Sequence, residues 1–190
     1  MSISASAAAA LMSAIGDNDE NQGVSGWLDT GYGPLNEIMS GSDKGGIPYG
    51  RIVEIYGPPS SGKTALATKL MCEAQKAGGI AIFLDHERTF EVELAKSMGL
   101  NGDFPNFIYK RPKTWEESNN IAMKTAEVIR AKRLIEPEAP IIAVFDSVAA
   151  MIPQSVFEKG IDQYTMNDTT ALARVASTTL KAINAFTADL

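Results

Sequence analysis

Short apolar runs recur along the chain, each followed by a glycine-bearing or polar turn and then a helical stretch. Arg51–Tyr56 (RIVEIY) is β-branched and predicts a buried strand. Ile80–Asp85 (IAIFLD), Phe107–Tyr109 and Ile141–Asp146 (IIAVFD) predict three more, the last apolar until its final aspartate. Between them lie helical segments at Thr64–Lys76, stopped by Gly78 and Gly79, and at Phe90–Met98, closed by Gly99. Thr114 caps a longer helix reaching Arg130, with Glu117 placed to complete a capping box. A last helix is expected over Thr169–Phe186, and a short helical piece over Pro34–Met39. No internal repeat interrupts this order. Strands alternating with helices predict an α/β fold, a mostly parallel sheet with helices on both faces.

The N-terminus stands apart. Ser2–Ile15 is small and apolar but lacks a secretory signal's basic start, and it is too short to span a bilayer. Ala7–Ala10 with Leu11, Met12 and Ile15 predicts a helix, and Gly16–Gly26 (GDNDENQGVSG) a polar linker. Residues 1–27 therefore read either as a frayed tail or as an arm that docks on another subunit, with residues 28–190 as the core. The length of 190 residues suits one domain with a real core. A formal net charge of −6 supplies no overall basic field, so any nucleic-acid contact needs a local patch. Cys72 is the only cysteine, which excludes an internal disulfide and fits a reducing cytoplasm. His86 is the only histidine, which argues against a histidine-based metal site or triad.

Chemistry concentrates where the first expected strand ends. Gly57, Pro58, Pro59, Ser60, Ser61, Gly62, Lys63 and Thr64 match G-x-x-x-x-G-K-[ST] at every fixed position, between a strand and a helix. Such a Walker A loop wraps phosphates with backbone N–H groups at a helix N-terminus. Lys63 would reach the β and γ phosphates, and Thr64 would place a hydroxyl on magnesium. The ligand expected is a nucleoside triphosphate, ATP, with Mg2+. Asp146 ends its apolar strand as a Walker B carboxylate does, at the carboxyl end of the sheet where open α/β folds bind ligands. Glu87, just past the second strand, is placed to deprotonate a water attacking the γ-phosphate. Asp85 is the alternative, as base or as support for the magnesium shell, and an ordinary surface turn is the bland reading.

Several of these stretches together resemble the bacterial and phage RecA-type recombinases: GGIPYGRIVEIYGPPSSGKTALATKL at Gly45–Leu70, AQKAGGIAIFLDHE at Ala74–Glu87 and VFDSVAAMIP at Val144–Pro153. The resemblance implies a RecA-type P-loop NTPase core, with Glu87 on the catalytic glutamate and Asp146 on the Walker B position. It places the first DNA-binding loop at Gln154–Asn167, where Met166 matches a methionine and Lys159 adds a charge within reach of phosphate. Where such proteins stack an aromatic ring on adenine this chain has Leu94, leaving Glu91 as acceptor for the adenine amino group. The family continues with a strand ending in a glutamine that senses the γ-phosphate, then a second DNA loop. That strand lies between the phosphate-loop and Walker B strands, so a C-terminally truncated core is expected, with a slot between Arg51–Tyr56 and Ile141–Asp146. A chain of this length is expected to be poorly soluble and a slow ATPase. The implied function is a DNA-dependent ATPase that forms helical filaments with itself on single-stranded DNA and promotes strand exchange in recombination and repair, without a membrane. The alternative is a non-catalytic nucleotide-binding or filament-capping module. A hexameric helicase-like motor ranks third.

Overall fold

A computed structural model of the chain describes residues 4, 6, 7, 13, 23–159 and 163–188. Of the expected N-terminal helix only Ala7 and Ser13 are among them, both helical, and the linker up to Gln22 lies outside the described residues. The ordered elements are β1 (Trp27–Leu28), α1 (Gly33–Ser40), β2 (Ile47–Pro48), α2 (Lys63–Lys76), β3 (Ile80–Asp85), α3 (Val92–Ser97) and β4 (Phe107–Lys110). They continue with α4 (Trp115–Ala131), β5 (Ile141–Asp146), a 3-10 turn at Val148–Ala150, α5 (Gln154–Phe157), a second 3-10 turn at Met166–Thr170 and α6 (Ala171–Ala188). Among the described residues no helix is long and apolar enough to cross a membrane.

The parallel sheet runs β4–β3–β5. Asp85 stands opposite Asp146 at its carboxyl end. Every residue of β3 is buried because both faces of the central strand are covered. The strand's period of two divides the core cleanly. Ala81 and Phe83 join Met71 and Cys72 of α2 and Ala95 of α3 on one face. Ile82 and Leu84 join Ala122 of α4 on the other. The antiparallel pair β1–β2 packs Leu28 on Leu70 and Ala74, which braces α2 from outside the sheet.

Local stop signals act as the chain pattern predicts. After α2, Gly78 takes a φ of +79°, and the N–H groups of Gly78 and Gly79 donate to the carbonyls of Gln75 and Ala74, the Schellman pairing. The Thr114 hydroxyl accepts from the Glu117 N–H as expected. The return bond differs: the Glu117 carboxylate takes the N–H of Lys113, one residue before the cap.

One expected strand does not form. Arg51–Tyr56 is exposed throughout, and Tyr56 is 86% exposed. Among the described residues no backbone–backbone hydrogen bond involves this segment. A strand is a property of a pair, and these groups have no ladder to join. Among the described residues β5 pairs with β3 alone, and it is half-exposed.

Candidate functional site

Residues 57–62 form an exposed loop leading into α2, whose N-cap Gly62 has a φ of +87° that an L side chain rarely adopts. No acidic side chain lies in the first turn of α2, so its N–H groups and positive dipole end face the loop unopposed. The Lys63 ammonium bridges the loop, donating to the carbonyls of Gly57 (3.0 Å) and Pro58 (2.9 Å). Thr64 Oγ1 donates to Asp146 Oδ2 at 2.8 Å, joining the phosphate loop to the tip of β5 across 82 positions of sequence. A hydroxyl and a carboxylate side by side are hard oxygen donors of the kind that hold Mg2+. Among the described residues no group of three or more His, Cys, Asp or Glu could hold a metal alone.

Glu87 belongs to the same constellation. The carbonyl of Asp146 accepts from the N–H groups of His86 (2.7 Å) and Glu87 (3.3 Å), extending the β3–β5 ladder past its last pair. Ser147 Oγ donates to Glu87 Oε1 at 2.5 Å, fixing an otherwise exposed carboxylate. Ser147 carries no signal in the sequence; its part is visible only once β3 and β5 are neighbours.

Asp85 does something else, and its candidacy as base or magnesium support is corrected. It is 1% exposed and accepts from Arg88 N (2.6 Å), Phe90 N (3.3 Å) and Tyr109 Oη (2.7 Å). Arg111 Nε donates in turn to Tyr109 Oη at 2.6 Å, with its guanidinium carbon 5.3 Å from the ring centroid. Burial, and then the Asp85 bond, push the Tyr109 phenol above its ordinary pKa. A carboxylate with three donors is a structural node. It pins the turn that carries Glu87 and holds Arg88 at a φ of +60°. Oδ1 takes the Arg88 N–H and Oδ2 takes both the Phe90 N–H and the tyrosine hydroxyl, so the amide NH2 of Asp85→Asn faces a backbone N–H in either orientation, and the substitution should cost roughly 1–2 kcal/mol. Urea denaturation reads this as a lower midpoint; an unchanged midpoint would mean these bonds do not hold the turn.

His86 packs its ring against α4, with Nε2 2.5 Å from Ser118 Oγ. Burial pushes this imidazole below its ordinary pKa, against the opposing pull of Asp85 and Glu117. Glu91 N-caps α3 without a side-chain bond, and Leu94, 59% exposed, lies one turn on. Both are exposed, Glu91 at the start of α3 and Leu94 within it.

The expected DNA-loop residues lie on a separate segment. The first of them hang on α4: Trp115 N donates to Ile152 O, and Gln154 N to Glu116 Oε2. Lys159 pairs with Asp168 at 2.5 Å, and Asp168 also forms a capping box with Thr165. The Lys159 bond, followed by the Thr165 backbone bond, holds the Asp168 carboxyl below its ordinary range. Met166 is 90% exposed.

Comparison with known proteins gives one family match and three relatives. The family model "RecA N-terminal domain" matches residues 9–189. Protein RecA of Acidothermus cellulolyticus is 41% identical over 137 residues, covering 68% of this chain and 36% of that protein. Protein RecA of Chloroherpeton thalassium is 44% identical, and that of Cytophaga hutchinsonii 45%, each over 114 residues, 60% of this chain and 29% of the relative. The chain thus spans about a third of the length of the curated relatives it matches.

Proposed function

Because the chain belongs to the family of RecA-type recombinases, we propose that it binds ATP with Mg2+ and contributes the hydrolytic part of a DNA-dependent recombinase that assembles on single-stranded DNA. The observation that carries this reading is the contact between Thr64 and Asp146, with Glu87 held beside them by Ser147.

The N–H groups of Ser60, Ser61 and Gly62 and of the start of α2 bind the phosphates, Pro58 and Pro59 having none to give, and Lys63 exchanges its two carbonyl partners for phosphate oxygens. Thr64 and Asp146 would hold Mg2+, which would supply positive charge against the phosphates when bound. Glu87 accepts a proton from the attacking water at Oε2, while Ser147 occupies Oε1 and sets the direction of the carboxylate. Leu94 gives adenine an aliphatic surface in place of a ring, and Glu91 accepts from its amino group. Met166 and Lys159 mark the loop that meets DNA.

The test is ATP hydrolysis with and without single-stranded DNA, alongside nucleotide binding. Stimulation by DNA supports the recombinase reading. Intact ATP binding without hydrolysis in either condition favours a non-catalytic nucleotide-binding module. The edge of β5 beside Asp146, without a strand partner among the described residues, is the observation on the side of that second reading.

The apolar run at Ala7–Ile15 has little reason to be apolar unless it packs on something, and we assign it to self-assembly. Deleting residues 1–21 should lower self-association in sedimentation velocity while leaving the melting temperature of the core unchanged. Normal assembly of the deleted chain would remove this role.

A further inference from the structure

Outside the phosphate loop, a cleft of about 340 Å³ opens between the turn after β3, the segment before α4 and the chain entering α5. Its walls include His86, Arg88, Lys113, Ile152 and Phe157. We propose that this cleft holds one nucleotide of a single strand, its phosphodiester between Arg88 and Lys113 and its base against Phe157. The inference rests on the single-stranded DNA reading above and adds contacts other than Lys159 and Met166.

Charge is the first argument. The chain carries a net charge of −6, yet two cations share this cleft and no carboxylate lines it. Among the described residues neither the Arg88 guanidinium nor the Lys113 ammonium has an ion pair or hydrogen bond. The neighbouring acids are engaged with other donors: Glu117 with the N–H of Lys113, Glu116 with the N–H of Gln154, and Glu158 with the amide of Gln154. Those carboxylates keep their charge but lie outside the lining, so the charged side chains that face the cleft are the two cations. Burial keeps the His86 imidazole biased toward its neutral form, so it adds bulk to the wall more than charge.

Shape is the second. Arg88 is held at a φ of +60° because Asp85 captures its N–H at 2.6 Å, so its backbone is fixed before any ligand arrives. Phe157 is 44% exposed and Ile152 40%, an apolar wall on which a base can stack. A cationic groove with an aromatic platform is the combination that binds single strands without reading sequence. Arg88 follows Glu87 directly, and Phe157 ends the helix at the start of the expected DNA loop. A nucleotide bridging them would link strand binding to the position of the candidate base.

The experiment is fluorescence anisotropy of the full chain with a labelled oligothymidylate across a salt series. Arg88→Gln and Lys113→Gln should each weaken binding and flatten the slope of log affinity against log salt by up to about 0.7, the share of one single-strand phosphate. Phe157→Ala should weaken binding about fivefold or more with the slope kept, and the loss should vanish on an abasic oligomer. Lys132→Gln, an exposed cation at the end of α4, is the charge control and should change nothing. Unchanged slopes in both cleft variants, or an equal change in Lys132→Gln, overturn the cleft while leaving DNA binding intact. Parent protein that binds no oligothymidylate at low salt overturns the cleft and the DNA reading together. Equal competition by oligoglutamate shows a general anion site and overturns the nucleotide assignment. Both cations are exposed, so thermal melts of the variants should match the parent.

Discussion

Glu87→Gln should leave ATP affinity intact and lower turnover by roughly a hundredfold or more, the usual contribution of a positioned general base. Gln keeps the length of the side chain and a carbonyl oxygen that can still accept from Ser147 Oγ, so the turn stays in place. What disappears is the basic oxygen that would take the water's proton. The measurement pairs single-turnover phosphate release with isothermal titration of a non-hydrolysable ATP analogue. Lost turnover with retained affinity identifies the base. Turnover that survives Glu87→Gln would move the role elsewhere, and Asp85 could not inherit it while both its oxygens hold the turn.

The second large effect belongs to Lys63. In Lys63→Ala the phosphates lose a charge-assisted donor worth about 1.5–3 kcal/mol, so affinity for ATP with magnesium should fall roughly ten- to hundredfold. Lys63 opens α2, and among the described residues its ammonium bonds to the carbonyls of Gly57 and Pro58. Water replaces those bonds easily, so a melt should register little change. Affinity unchanged in titration would remove the phosphate-loop assignment, whatever its match to the motif.

How much of this was legible in the chain depends on how local the cause is. β3 and β5 are buried or flanked on both faces, so their apolar runs name them directly. Gly78 and Thr114 end and begin their helices through bonds spanning a few residues. Arg51–Tyr56 has the same composition as a true strand, but its ladder depends on a neighbour that no local pattern reveals. The choice between Asp85 and Glu87 was equally hidden. The two carboxylates stand two positions apart, and only the surrounding Tyr109 and backbone N–H groups turn one inward. Lys159 read as a spare charge because Asp168 lies nine positions on, beyond any helical spacing.

The side chain of Trp115 gives the fold an optical consequence. Its ring is 2% exposed and packs on Met151 and Ala176, with Phe145 at a centroid distance of 6.3 Å. Its backbone N–H holds Ile152, and its indole Nε1 has no hydrogen-bond partner among the described residues. Trp27, the other tryptophan, is 37% exposed and sits on β1, so the two indoles emit from dry and wet surroundings. The short-wavelength part of the emission therefore belongs to the junction of β5, α4 and α6. A ligand that shifts residues 151–157 would change that band, whereas one confined to α3 would leave it still.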